Sequence, residues 1–134
     1  MSIYIFDSSA ILAHLSSEPG AKVVDALLND LNSDCYAHAI NLCEVYYHVL
    51  RIADEHQAQQ TIMDYHIYGV NERRDMDGQF WRSVGKLKAH GRISIADCFS
   101  IALAQKLSGE VVTADHHEFD AIVPLGIVPI RFIR

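Results

Sequence analysis

Four acidic residues in this chain stand where their side chains could bind a metal ion together. Asp7, Glu44, Asp97 and Asp115 each lie at the predicted start of a helix. No Lys or Arg lies within four residues of Asp7 or Glu44, and a helix dipole offsets the cost of a buried carboxylate by only about 1 kcal/mol. A divalent cation offsets far more, and magnesium or manganese prefers carboxylate and water oxygens. The four acids therefore predict a site for magnesium or manganese.

Helix capping is the alternative explanation for each acid taken singly. Asp7 and Asp115 could N-cap the helices that follow them, and Glu44 and Asp97 each fall three residues after a capping residue, as in a capping box. Taken together, the acids favour the metal site, because Glu44 lies in a helix that is apolar nearly all round. Such a helix is predicted to be buried, and a buried carboxylate without a partner is costly.

The other possible metal ligands form no metal-binding motif. His116 and His117 are adjacent, but no HExxH or CxxC sequence accompanies them, so solvated loop histidines are a better interpretation than zinc ligands. Cys35, Cys43 and Cys98 are odd in number and lie among apolar residues, which predicts buried thiols in a reducing compartment. We therefore expect a cytoplasmic protein.

Alternating strand and helix patterns determine where the acids would lie. Short apolar runs predict strands over residues 2–7, 35–40, 66–70, 111–113 and 127–133. Helical spacing predicts helices over residues 10–15, 21–31, 41–53, 56–65, 76–90, 94–107 and 116–122. This alternation implies an α/β fold, in which right-handed crossovers build a mostly parallel sheet of four to five strands flanked by helices. A ligand site is then expected beyond the carboxyl ends of the strands, where the winding direction reverses.

Residues 93–115 are the unit around which this arrangement is organised. Ser94 starts a helix, Gly109 breaks it after an apolar run, and the following strand stops at Asp115. Asp97 and Asp115 therefore stand at the two ends of one helix–turn–strand unit, and Asp7 follows the first strand in the same way.

Length and composition predict a single domain over residues 1–134, with an apolar share of 50% that is ordinary for a globular protein. No apolar run is long enough for a membrane span, so no membrane association is expected. The N-terminus lacks the basic start of a signal peptide. The net charge of −6 argues weakly against general binding to polyanions.

One segment departs from this acidic balance. Residues 73–92 hold six of the eleven Lys and Arg but only two acids. The basic residues are Arg73, Arg74, Arg82, Lys86, Lys88 and Arg92. Charge alone favours a solvated helix face over a surface that binds phosphates.

Four stretches of the chain carry a family resemblance: IFDSSAILA, AINLCEVYY, SIADCFSIALA and VVTADHHEF. In this order they resemble the four acidic motifs of PIN-domain ribonucleases, and most closely those of the VapC-type toxins of toxin–antitoxin pairs. The similarity extends from residue 3 to about residue 119. Four ordered motifs are far more specific than any one of them.

The resemblance implies a three-layer α/β/α fold and hydrolysis of RNA with one or two magnesium or manganese ions. It also implies a cognate antitoxin that occupies the active-site groove, and a homodimer. The basic segment then fits a surface that contacts the substrate backbone as well as it fits a solvated helix face. His116 and His117 are the departure, since relatives often carry a small or turn residue after the last Asp. The implied acidic quartet is Asp7, Glu44, Asp97 and Asp115, with Ser8, Asn41 and Thr113 as supporting polar residues.

Proteins of other classes fit less well. A haloacid-type phosphatase requires a second Asp two residues after Asp7, where Ser9 stands. A phospho-accepting receiver domain requires an acidic pair near the first strand and a late Lys, and neither is visible. The remaining alternative is a catalytically silent RNA- or protein-binding module with the same fold. Metal-stimulated cleavage that depends on Asp7 would separate the enzyme from the module.

Overall fold

In the computed structural model, which describes residues 1–134, five strands form one parallel sheet. The strands are β1 (Ser2–Phe6), β2 (Ser33–His38), β3 (Val70–Arg73), β4 (Glu110–Thr113) and β5 (Ile130–Phe132). Their order across the sheet is β3-β2-β1-β4-β5, and every neighbouring pair is parallel. The predicted parallel sheet is therefore confirmed.

Seven α-helices connect the strands. They are α1 (Ser8–Leu15), α2 (Ala21–Asn29), α3 (Ala39–Ile52), α4 (Glu55–Tyr68), α5 (Gly78–His90), α6 (Ile95–Leu107) and α7 (His116–Phe119). A short 3-10 helix over Val123–Leu125 precedes β5. None of the helices is both long and apolar enough to cross a bilayer.

Two hydrophobic cores lie on opposite faces of the sheet. Successive side chains of a strand point to opposite faces, so Tyr4 and Phe6 of β1 pack into one core and Ile5 into the other. Helices α1 to α4 contribute to the first core, and α5 to α7 contribute to the second. Both faces are covered, which confirms the three layers.

The sequence prediction for the third strand is wrong. Residues 66–70 were expected to form it, but α4 continues to Tyr68 and β3 begins at Val70. Thr61 and Tyr65 are buried at helical spacing, so the packing favours helix through this stretch. Gly69 then ends the helix in the left-handed conformation, with a φ of 111° that glycine adopts at little cost.

Helix α3 differs from its prediction in two ways. It begins at Ala39, because Nδ1 of His38 accepts a hydrogen bond from the backbone N–H of Ile40 and caps the helix. Glu44 therefore lies in the second turn, and the capping box predicted for it is wrong. The helix is also not buried all round, since Cys43 and Tyr47 are exposed. The reason is that α3 lies in an outer layer, where only the stripe that faces the sheet is covered.

Strand order reverses between β1 and β4. From β1 the chain adds β2 and β3 on one side of the sheet, and later adds β4 and β5 on the other. Such a switch point leaves a crevice at the carboxyl ends of the two central strands. Asp7 directly follows β1, and Asp115 lies two residues beyond β4. The topology therefore brings these two acids to one crevice.

Candidate active site

Asp7 joins the end of β1 to the start of α1, and the residue is only 1% exposed. Its Oδ1 accepts hydrogen bonds from the backbone N–H of Ala10 at 2.9 Å and from Ser9 Oγ at 2.7 Å. Its Oδ2 accepts a hydrogen bond from Thr113 Oγ1 at 2.5 Å. Asp7 is thus an N-cap, as the alternative explanation held, and the three bonds also fix the orientation of its carboxylate.

Two hydroxyl groups link Asp7 to the end of β4. Thr113 Oγ1 accepts a hydrogen bond from the backbone N–H of Asp115 at 3.0 Å, and Ser9 Oγ accepts one from the N–H of Ala114 at 2.9 Å. The resemblance implies a supporting role for Thr113, but the sequence reasoning misses Ser9. Two adjacent serines follow Asp7, and only the phase of α1 decides which of them faces β4.

Asp97 lies in the first turn of α6, whose N-cap is Ser94. Ser94 Oγ accepts a hydrogen bond from the backbone N–H of Asp97 at 3.2 Å. Burial, together with the negative charges of Asp7, Glu118 and Asp115, raises the pKa of Asp97 to about 8, although the hydrogen bond with Ser94 acts in the opposite direction. The charged form of Asp97 is therefore disfavoured at neutral pH without a cationic partner.

Burial has the same effect on Asp7. It raises the pKa of this carboxyl to about 6, although the hydrogen bonds from Thr113, Ala10 and Ser9 act in the opposite direction. None of the ion pairs in the structure includes any member of the acidic quartet. The quartet is thus a set of buried or half-buried carboxylates without basic partners.

Asp115 N-caps the short helix α7, and its Oδ1 accepts a hydrogen bond from the backbone N–H of Glu118 at 3.1 Å. Glu118 Oε2 accepts a hydrogen bond from the backbone N–H of Ser94 at 3.2 Å. One carboxylate oxygen from each of Asp97, Asp115 and Glu118 lies within 4.8 Å of the others. The sequence reasoning misses Glu118, although its place three residues after a capping Asp is a recognisable signal.

Glu44 and Asn41 lie on α3 and make different contacts. Ser8 Oγ donates a hydrogen bond to Glu44 Oε1 at 2.8 Å, which ties the first turn of α1 to this acid. Asn41 is fully buried, and its Nδ2 donates hydrogen bonds to Ser100 Oγ at 2.8 Å and to the carbonyl of Ala96 at 3.3 Å. Asn41 Oδ1 has no hydrogen-bond partner. Asn41 therefore braces α3 against the start of α6.

The predicted acids come together to different degrees. Asp97 and Asp115 share a cluster with Glu118, and Asp7 is near enough for its charge to raise the pKa of Asp97. Glu44 is not part of this cluster, but it accepts a hydrogen bond from Ser8, the residue that follows Asp7. All the possible metal ligands here are carboxylate or hydroxyl oxygens, which suit magnesium or manganese better than zinc or copper. The residues present fit the predicted ion.

Part of the basic segment is engaged in local ion pairs. Arg73 ends β3, and its Nε donates a hydrogen bond to Asp75 Oδ1 at 2.9 Å. Arg74 pairs with Glu72. These two charges are therefore compensated by neighbouring acids.

The remaining basic residues lie along helix α5 and just after it. Arg82, near the start, lies over the ring of Trp81 at 4.6 Å. Lys86 and Lys88 lie on the later turns, and Arg92 follows the helix on the way to α6. All three are exposed, and Lys88 Nζ donates to the carbonyl of Ile93 at 2.7 Å. Lys86 and Arg92 therefore remain as exposed cations without such a bond on the chain segment that leads to the acids.

His116 packs α7 against the C-terminal strand β5. Its ring stacks on Phe132 with the centroids 4.0 Å apart, and its two nitrogens contact Asp120 Oδ1 at 2.8 Å and the carbonyl of Arg134 at 2.7 Å. The Arg134 carbonyl and the Asp120 carboxylate raise the pKa of His116. His117 is exposed, and neither histidine belongs to the carboxylate cluster.

The parallel three-layer fold agrees with the family that sequence comparison identifies. The PIN domain family model matches residues 4–123, which is most of the chain. The protein therefore belongs to the PIN-domain family. Comparison with curated protein sequences gives no match.

Several solved structures share the fold. VapBC-1 from nontypeable Haemophilus influenzae gives a TM-score of 0.72 at 20% identity over 98% of each chain. VapBC2 from Rickettsia felis, solved with a DNA fragment from its promoter, gives 0.74 at 18% identity over 97% of this chain and 98% of that one. VapC20 from Mycobacterium tuberculosis, a toxin that cleaves the sarcin–ricin loop, gives 0.67 at 13% identity over 90% and 95%. At these identities the similarity is one of fold.

Proposed function

We propose that this protein is a metal-dependent endoribonuclease and the toxin of a toxin–antitoxin pair. The observation that carries the proposal is that Asp7 and Asp97 are buried beside Asp115, with raised pKa values and no basic partner. Acids that serve only stability are normally paired or exposed, whereas perturbed carboxylates in a crevice are typical of functional sites. Membership of the PIN-domain family and similarity to VapC20 support the proposal.

Asp7, Asp97 and Asp115 are the residues that would hold one or two magnesium or manganese ions, with Glu44 as the fourth acid. Such ions, when bound, activate water and offset the charge that develops on a phosphodiester. Thr113 and Ser9 keep the Asp7 carboxylate in one orientation, because their hydroxyls donate to both of its oxygens. Ser8 does the same for Glu44 through a single bond.

The proposed substrate is cytoplasmic RNA, single-stranded or structured. Clustered carboxylates repel phosphates, so the ion must be present before the RNA or arrive with it. Lys86 and Arg92 are exposed at the end of α5 that leads to Asp97, and they are the first candidates for phosphate contacts. Arg73 and Arg74 would first have to leave Asp75 and Glu72.

The proposed partners are a cognate antitoxin that covers the acidic crevice, and a second copy of the chain. The support is the similarity to two VapBC structures, from H. influenzae and R. felis. Light scattering at micromolar concentration tests both partners, with the protein alone and with a candidate antitoxin. A strict monomer in both samples would contradict this part of the proposal.

The central test is RNA cleavage by purified protein with magnesium or manganese and with EDTA. Cleavage should require the metal. Asp97→Asn should lower the rate by orders of magnitude, because the stabilisation of transition-state charge by a bound metal ion is worth several kcal/mol. Glu55→Gln, which changes an exposed acid on α4, is the matched control and should cleave normally.

Two results would change this assignment. Undiminished cleavage by Asp97→Asn would remove the acidic cluster from the mechanism. RNA binding without any metal-stimulated cleavage would instead favour the catalytically silent binding module.

A further inference from the structure

We infer that Glu118 is a positioning residue that keeps the Asp97 carboxylate available to the metal site; the inference rests on the function proposed above. Glu118 lies on α7, whereas Asp97 lies on α6. The two helices are joined at this point by the hydrogen bond from the Ser94 N–H to Glu118 Oε2.

Helix α6 begins with an incomplete capping box. In a complete box, the N-cap hydroxyl accepts the N–H of the third helical residue, and the side chain of that residue reaches back to accept the N–H of the cap. Ser94 and Asp97 make the first of these bonds, from the Asp97 N–H to Ser94 Oγ. The second is missing between them, because the Ser94 N–H is bonded to Glu118.

Glu118 therefore makes the hydrogen bond that Asp97 would make in an ordinary helix. A backbone N–H at a helix start needs an acceptor, and a carboxylate forms a strong, charge-assisted bond with it. Because this acceptor comes from another helix, the Asp97 carboxylate is not drawn back onto the Ser94 N–H. It remains within 4.8 Å of the Asp115 carboxylate.

The position of Glu118 is itself well determined. Its backbone N–H donates to Asp115 Oδ1, so another acid of the cluster holds Glu118 in place. The next residue, Phe119, is fully buried in the core that contains Cys98 and Ile101 of α6. Helix α7 should therefore stay in place when only the Glu118 side chain is changed.

Two substitutions separate this role from that of a charge or a direct ligand. Glu118→Gln keeps a carbonyl oxygen that can accept the Ser94 N–H but removes the negative charge. Glu118→Ala removes both. Asp120→Ala is the matched control, because Asp120 is an exposed acid at the end of the same helix and bonds His116 rather than α6.

The experiment has a structural and a binding measurement, made on the full chain. In a metal-free crystal structure of Glu118→Ala, we expect the Asp97 carboxylate to turn and accept the Ser94 N–H. By calorimetry with Mn²⁺, Glu118→Ala should bind about tenfold more weakly, as is typical when a group that orients a ligand is lost. Glu118→Gln should bind more tightly than Glu118→Ala, and Asp120→Ala should match wild type.

Several results would overturn the inference. One is an Asp97 side chain that does not move in Glu118→Ala, and another is unchanged Mn²⁺ affinity in that variant. A third is equal weakening in Glu118→Gln and Glu118→Ala, which would mean that the charge itself matters. Failure of the nuclease proposal looks different: the wild type would cleave no RNA, while the crystal structure of Glu118→Ala would still decide the role of Glu118.

Discussion

Asp75 and Asp97 are two acids of one chain whose surroundings shift their pKa values in opposite directions. Asp75 lies between Arg73 and Lys106, and hydrogen bonds and charge from these two residues hold its pKa well below the usual range. The pKa of Asp97 is raised to about 8 by burial and by neighbouring acids. The side chain of Asp75 is only 7% exposed but contacts two cations, whereas the buried Asp97 contacts none. The neighbours decide whether a buried acid stabilises the fold or is held ready for a cation.

Loss of the paired acid should have the largest effect on stability. Asp75→Asn leaves Arg73 and Lys106 without their partner, and we expect the free energy of unfolding to fall by about 2 kcal/mol. This is less than for a fully buried pair, because Arg73 and Lys106 are 33% and 45% exposed. Urea denaturation at pH 7 measures the change, with Glu18→Gln as the control because it disrupts only an exposed pair with Arg134.

The sign of the pH dependence follows from the lowered pKa. Asp75 contributes stability above the unfolded carboxyl pKa of about 4, and this contribution is lost as the pH falls towards the folded value. The difference between wild type and Asp75→Asn should therefore shrink below pH 4. If wild type and Asp75→Asn have the same free energy of unfolding at pH 7, the contacts of Asp75 with Arg73 and Lys106 do not stabilise the fold.

Loss of the unpaired acid, Asp97, should instead raise the stability of the metal-free protein. In EDTA at pH 7.5, Asp97→Asn should be more stable than wild type by about 1 kcal/mol, the scale on which proteins trade stability for activity. Ser94, and not the Asp97 side chain, caps α6, so the substitution removes no cap. Thermal unfolding with and without manganese measures the effect. Manganese should reverse the order, because only wild type gains RT ln(1 + [L]/Kd) appreciably.

The sign again follows from the pKa. The folded protein binds the Asp97 proton more tightly than the unfolded chain does, so wild-type stability falls as the pH rises from about 4 to about 8. The advantage of Asp97→Asn should thus grow across this range and vanish at pH 4. If Asp97→Asn unfolds below the wild-type temperature in EDTA at pH 7.5, the acid stabilises the fold by itself.

The smallest expected effect concerns paired and unpaired cations. Lys86→Gln should reduce the slope of log RNA affinity against log salt by a little under one unit, as expected for one lost phosphate contact. Arg74→Gln should change the slope less, because Arg74 is already paired with Glu72. If this slope is unchanged in both variants, the basic segment over residues 73–92 is a solvated surface that does not contact RNA.

Much of the fold could be predicted because its signals are local. The first strand was expected over residues 2–7 and the helix of the central unit over 94–107, and both lie within two residues of β1 and α6. The third strand was not predicted correctly, because the conformation of Gly69 and the burial of Tyr65 decide where α4 ends. The burial of Tyr65 depends on tertiary packing rather than on nearby residues.

The same limit applies to the site. The positions of Asp7, Asp97 and Asp115 could be anticipated, because each follows a strand or opens a helix. The contact between Glu118 and Ser94 joins residues 24 positions apart, and no local sequence pattern predicts it. Charge counting likewise could not show that Arg73 is engaged by Asp75.

The place of β1 at the centre of the sheet has a consequence for the order in which the protein is made. β1 is synthesised first, yet its partner on one side, β4, begins only at Glu110. A ribosome releases the chain from its N-terminus, so β1, β2 and β3 can assemble while the other edge of β1 is still open. Asp7 then has neither the hydroxyl of Thr113 nor the carboxylate of Asp115 beside it. The acidic crevice therefore cannot form until the ribosome has released the chain as far as β4 and Asp115.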